Sequence, residues 1–172
     1  AIANGSGLAS NYTLSGATIN VTIIPRTLNV TLSREYDGTT TVSGGSLTPT
    51  FDSLQGSETL ALSGTGSVST ANVGSSKAVS LGSIALAAGS GNPSNYTLNS
   101  ATMDITQRVI NLDGIRAFDG TTNVLSSDIN TFGNIVSGET LTISGAGSVG
   151  TNSVAMNKAC LLYTSDAADD SL

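Results

Sequence analysis

The 172-residue chain has no histidine and no tryptophan, and its one cysteine is Cys160. Without histidine, and with its single thiol in the last residues, it cannot build the nucleophile–base pairs of Ser–His or Cys–His catalysis. Zinc and iron sites lose their usual nitrogen and sulfur donors for the same reason. Charged residues make up only 10% of the chain, and the formal charge of −6 disfavours nucleic acid as a partner. Part of that charge is local, because Asp166, Asp169 and Asp170 lie in the last 13 residues. No apolar run approaches the roughly 18 residues that a membrane helix needs. The opening AIANGSGLAS lacks the basic and apolar regions of a signal peptide. No initiator methionine precedes it, so the chain is expected to be part of a longer protein.

What is present is small, β-branched and turn-forming. Val, Ile, Leu and Thr are frequent, with 20 glycines and abundant Ser. That mixture fills a core with small side chains and reads as all-β with many turns.

The chain also repeats itself. REYDGTT (Arg34 to Thr40) returns as RAFDGTT (Arg116 to Thr122), 82 residues on. FDSLQGSETLALSGTGSV (Phe51 to Val68) returns as FGNIVSGETLTISGAGSV (Phe132 to Val149), and NYTLSGATINVT (Asn11 to Thr22) returns as NYTLNSATMDIT (Asn95 to Thr106). A fixed period over this much sequence predicts tandem modules. Residues 1–24 are then the end of a preceding module, 25–106 a complete one and 107–159 a truncated one. Every basic residue has a partner across the repeat: Arg26 with Arg108, Arg34 with Arg116, Lys77 with Lys158. So do the aromatics before residue 160: Tyr12 with Tyr96, Tyr36 with Phe118, Phe51 with Phe132. Rare large side chains that recur in this way are expected to fill each module's core.

In TLNVTL, Leu28, Val30 and Leu32 alternate with Thr27, Asn29 and Thr31, the period of a half-buried strand. Short runs of this kind, broken by Gly, Ser and Asn, predict six or seven strands per module. The expected architecture is an elongated array of small immunoglobulin-like β-sandwiches. β-Grasp-like modules or a β-solenoid are the alternatives, although solenoid coils usually repeat at shorter periods.

The YDG phrase is expected to be a fold-defining corner, built by Tyr36, Asp37 and Gly38 and again by Phe118, Asp119 and Gly120. Gly accepts positive φ, the Asp carboxylate accepts nearby backbone N–H groups, and the aromatic anchors the turn to the core. Calcium at Asp37 and Asp119 is the chemical alternative, but one acid per turn falls short of the oxygen-rich loops calcium needs.

R-x-YDGTT, the G-E-T-L-x-x-S-G-x-G stretch, VG-x-x-K (Val73 to Lys77) and NYTL (Asn95 to Leu98) together resemble the YDG repeats of filamentous haemagglutinin-like bacterial adhesins. In the second copy VG-x-x-K has become VAMNK. The resemblance implies a secreted or surface-anchored Gram-negative protein in which such repeats form a stalk. The absence of cysteine before residue 160 suits a chain that crosses an oxidising periplasm.

The end of the chain breaks the register. CLLYTSDAADD (Cys160 to Asp170) resembles a translated sequencing adapter, so residues 160–172 are expected to be read-through from a metagenomic assembly and not native sequence.

Other chemistry finds little support. A Ser76–Lys77 dyad is not repeated, because Asn157 precedes Lys158. GTGSVS at Gly64 follows a strand with no helix after it, so it reads as a turn and not a phosphate loop. Lys77 and Glu58 both recur, as an isopeptide cross-link would require, yet a repeated lysine is more often an edge charge that deters sheet-to-sheet pairing. The expectation is a non-enzymatic spacer with no cofactor and no metal, whose partners are its own neighbouring repeats. The alternatives are a module contacting host glycan or protein, or an accessory module of a secreted enzyme.

Overall fold

The structure, a computed structural model, describes residues 1–163. Asp166, Asp169, Asp170 and most of the adapter-like segment therefore lie outside the described residues. The regular structure of the described residues is strand, apart from 3-10 helices of a single turn at Ala9–Asn11, Gly44–Ser46, Pro93–Asn95 and Ser126–Asp128. The all-β expectation holds.

A first group of strands comprises β1 (Arg26–Glu35), β2 (Thr41–Ser43), β3 (Thr50–Phe51), β4 (Leu60–Ser63), β5 (Thr65–Val68), β6 (Gly74–Ser80), β7 (Ala85–Ala88) and β8 (Tyr96–Thr106). Six of them form one sheet in the order β2-β5-β6-β8-β1-β3. The longest strands, β1 and β8, run parallel at its centre from Arg26 beside Tyr96 to Glu35 beside Thr106, with a register shift after Leu28. β6 flanks β8 antiparallel on the other side. β4 and β7 form a separate antiparallel ribbon, pairing Leu60 with Ala88 and Leu62 with Leu86.

The period-2 alternation sorts each central strand into two faces. Leu28, Val30 and Leu32 of β1 are buried, as are Ala101, Met103 and Ile105 of β8. All but Leu28 pack with Val42, Val68, Val79 and Ile84, and Leu62 of the ribbon joins that cluster. Leu60 joins Leu28 and Tyr96 in a smaller cluster at the sheet's end. Each fully buried side chain of this size contributes about 1.5–3 kcal/mol by leaving water. Parallel strands are usually buried on both faces, but here the far face is wet. Its polar groups bond one another across the strands. Ser100 Oγ and Asn99 Nδ2 donate to Asn29 Oδ1 at 2.7 and 2.9 Å, and Thr102 Oγ1 donates to Thr31 Oγ1 at 3.4 Å.

A second group comprises β9 (Asn111–Gly114), β10 (Asn123–Leu125), β11 (Ile129–Gly133), β12 (Ala146–Val149) and β13 (Cys160–Tyr163). Its pairing repeats part of the first. The sheet β10-β12-β13 corresponds to β2-β5-β6, and the pair β11-β9 corresponds to β3-β1. β13 pairs with β12 from Cys160 opposite Val149 to Tyr163 opposite Ala146, the place that the repeat assigns to a strand. Among the described residues no strand stands between β13 and β9, where β8 would be, and the sheet is split there. Among the described residues, Val124 is the one buried hydrophobic side chain of this group. An opening of about 80 Å³, lined by Val124, Ile129, Ile143, Ala146 and Leu162, lies where the first group has its core.

Burial of the paired aromatics follows this split. Tyr96 is buried, and Tyr36, Phe51 and Phe132 are half-buried. Tyr12 and Phe118, expected inside, are 67% and 66% exposed. Asn11–Thr22 repeats the sequence of β8 but lies in no strand, so Tyr12 has no sheet to enter.

Equivalent leucines should therefore differ in what they contribute. Leu60 is 6% exposed and Leu141, 81 positions later, is 49% exposed. Leu60→Ala is expected to cost about 2–5 kcal/mol in urea unfolding. Leu141→Ala is expected to cost less than about 1 kcal/mol. Equal losses would show that the second group holds a closed core.

Candidate functional site

The feature built twice with the same geometry is the corner after β1 and β9. In the first copy Gly38 turns the chain at φ 75°, and Asp37 Oδ1 accepts from Thr39 N at 2.9 Å and from Thr39 Oγ1 at 3.0 Å. Arg34 holds the other carboxylate oxygen, with Nη1 3.0 Å from Asp37 Oδ2. The same guanidinium donates to Thr41 O at 2.6 Å and to Thr39 O, tying the turn to the start of β2. In the second copy Gly120 has φ 78°, Asp119 Oδ1 accepts from Thr121 N at 2.9 Å, and Arg116 Nη1 reaches Asp119 Oδ2 at 2.6 Å. A side chain at either glycine would meet the steric cost of left-handed backbone.

Both Asp37 oxygens are engaged inside the corner, and among the described residues no group of three or more Asp, Glu, His or Cys could hold a metal ion. Burial works against the Asp37 charge, but the Thr39 N–H and hydroxyl and the Arg34 charge outweigh it, holding the carboxyl below its ordinary value. Asp119 is lowered too, first by the Thr121 N–H and then by the Thr121 hydroxyl and Arg116, against a smaller burial effect.

The first corner also meets the second group of strands. A Cβ placed on Gly38 would lie 2.8 Å from Val136 Cγ1, and the Tyr36 hydroxyl donates to Glu139 Oε1. That bond, with smaller contributions from burial and nearby acids, raises the Tyr36 pKa. Arg108 closes the junction. Its Nη1 is 3.6 Å from Glu35 Oε1 and donates to Tyr36 O at 3.3 Å, while its Nε donates to Asn134 O at 2.7 Å. Phe118, at the place of Tyr36, has no hydroxyl to offer.

Other recurring polar residues also take structural partners. Lys77 Nζ donates to Thr70 Oγ1 at 2.8 Å and Asn72 O at 2.7 Å, locking the β5–β6 hairpin. Lys158 Nζ does the same with Thr151 O at 2.5 Å. Glu58, the other part of the isopeptide alternative, instead accepts from the Tyr96 hydroxyl. Gly64, in the glycine pair considered as a phosphate loop, has φ 79° and turns the chain between β4 and β5.

Several of these roles were missed in the sequence. The spacing Arg, Asp at +3, Thr at +5 is printed twice and would have revealed the clamp. Ser76 and Asn157 both sit at φ 52°, so the change from VG-x-x-K to VAMNK leaves this backbone position unchanged. Asn tolerates that region better than most residues. Ser76 N donates to Asp104 Oδ1 at 2.6 Å, a contact no local pattern shows.

Residues 20–103 match the family described as the YDG domain, so a YDG domain spans the first group of strands almost completely. No curated protein and no solved structure matches the chain. Among the described residues no helix is long and apolar enough to cross a membrane.

A carboxyl whose folded pKa is lowered adds stability above its unfolded pKa and loses it as pH falls through the folded value. Asp37→Asn keeps an oxygen for the Thr39 N–H but loses the Arg34 ion pair. It is expected to lower the thermal midpoint by a few degrees near neutral pH. The gap from the parent should close on acidification through the lowered carboxyl range. A gap that stays constant through that range would mean the Asp37 charge is not what holds the corner.

Proposed function

We propose that the chain supplies non-enzymatic stalk or spacer repeats of a secreted or surface-anchored bacterial adhesin of the filamentous haemagglutinin-like kind. In this reading each repeat is a small two-layer β-sandwich, the six-stranded sheet faced by the β4–β7 ribbon, stacked end to end on the next. The junction carries the reading. β8 ends at Thr106 and Arg108 is already bonded into the next group, leaving no flexible linker between them. Gly38 against Val136 and Tyr36 on Glu139 restrict bending there. Repeats that touch only their neighbours extend in one dimension, so repeat number sets reach.

The rival reading, a module that grips host glycan or protein, needs exposed rings and free polar groups. The wet face of β1 and β8 offers Asn29, Thr31, Ser100 and Thr102, but their polar groups bond one another. Phe51 packs inward against both core clusters. This balance favours the spacer, placed outside the cell on a Gram-negative surface, with neighbouring repeats as its partners.

Residues 25–106 in one, two and three tandem copies should give particles whose maximum dimension, by small-angle scattering, grows by about 36 Å per copy, the length of a strand like β8. A dimension that does not grow with copy number would overturn the stalk reading. Saturable binding of a glycan or host protein to the single copy would replace it with the binding-module reading.

A further inference from the structure

The joint between the two groups is made largely by residues that the repeat changes. On the exit side of the first group, Arg34, Asp37, Gly38 and Thr39 build the corner and recur unchanged as Arg116, Asp119, Gly120 and Thr121. Glu35 and Tyr36, whose side chains reach across the joint, become Ala117 and Phe118. On the entry side of the second group, Arg108 and Glu139 match Arg26 and Glu58. Asn134 and Val136, however, stand where the first group has Ser53 and Gln55.

Those changes decide what the entry arginine holds. Arg26 Nη1 donates to Gln55 Oε1 at 2.9 Å, within its own group. Val136, at the place of Gln55, has no acceptor to offer. Arg108 anchors on Asn134 instead, with Nη2 2.6 Å from Oδ1 and Nε 2.7 Å from the backbone oxygen. Its Nη1 is then left to reach Glu35 and the backbone oxygen of Tyr36. Tyr36 N in turn donates to Thr106 O at 2.9 Å, so the connecting peptide is fastened on both sides of Gln107. Val136 also presents a methyl group to the bare Cα of Gly38. Glu139 can serve the joint without giving up a role in its own repeat. A carboxylate accepts several hydrogen bonds, and Glu58 gives only Oε2 to Tyr96.

We infer that Arg108, Asn134, Val136 and Glu139 form an entry face that selects a preceding YDG domain whose corner reads Glu-Tyr-Asp-Gly over one that reads Ala-Phe-Asp-Gly, so that the joint fixes which repeat stands next to which. This rests on the reading of the two groups as stacked repeats. A partly exposed ion pair adds little affinity, but specificity is a difference between partners and needs little. An Ala-Phe corner loses both side-chain contacts at once. Arg108 Nη1 would keep only a backbone oxygen across the joint, and Glu139 would lose its donor. The two faces are unlike, exit against entry, so the contact gives the stack a direction as well as an order.

Residual dipolar couplings of the full chain in a dilute aligning medium report whether the two groups share one orientation. In the parent a single alignment should fit both. The double variant Glu35→Ala, Tyr36→Phe gives the first corner the residues of the second, whose turn has the same geometry, so the corner should still form. Val136→Gln leaves the first group untouched, offers Arg108 the acceptor that Arg26 has, and crowds Gly38. In both variants the shared alignment should be lost, with weaker couplings in the second group, while each group still fits its own fold. The Tyr36 hydroxyl, held above the ordinary tyrosine pKa chiefly by its bond to Glu139, should titrate lower in Glu139→Gln. A shared alignment that survives either variant, or a Tyr36 titration that Glu139→Gln leaves unchanged, would overturn the selection and leave the stacked-repeat reading intact. Two independent alignments in the parent would sink both.

Discussion

Everything in the first group of strands depends on where β8 sits. It is the last strand in sequence yet lies inside the sheet, between β6 and β1. On one side it extends the β2-β5-β6 meander. On the other it pairs with β1 along its length. Remove it and two small sheets remain, the condition of the second group. Among the described residues of that group Met103 and Ile105 have no counterpart in a strand, and Val124 is the one hydrophobic side chain described as buried. Small sheets gain independent stability only when enough strands share one apolar face.

The polar residues that recur serve geometry. Arg34 and Asp37 fix the exit from β1, Lys77 fixes the β5–β6 hairpin, and Glu58 fixes Tyr96 at the entry to β8. Few charges are present, and each of these closes a turn or an end. Such placement suits a chain with many Ser, Thr and Asn: on the exposed face of β1 and β8 hydroxyls and amides satisfy one another across strands, and ionic groups sit at corners. Arg108 adds one more function by bridging Glu35 on one side and Asn134 on the other.

Local features were legible in the sequence because their causes are local. The alternation of Leu28, Val30 and Leu32 states which face of β1 is buried, and Asp-Gly flanked by Arg and Thr states a turn. Strand order was not legible, because it depends on contacts about 70 residues apart, and nothing in NYTLNSATMDIT says that it lies beside RTLNVTLSRE in parallel. The same gap explains Tyr12 and Phe118. Repetition pairs them with Tyr96 and Tyr36, but burial depends on whether the partner strands are there. Ser76 and Asn157 were paired by the repeat without any sign that both take left-handed backbone.

The parallel pair at the centre has a mechanical meaning. The chain enters at the start of β1 and leaves at the end of β8, and these points lie at opposite ends of two neighbouring strands. A pull along the chain therefore slides β1 past β8 lengthwise. The hydrogen bonds between Arg26–Glu35 and Tyr96–Thr106 are loaded together and cannot open one at a time from an end. Each such unit resists stretching as a clamp whose whole length must give way at once.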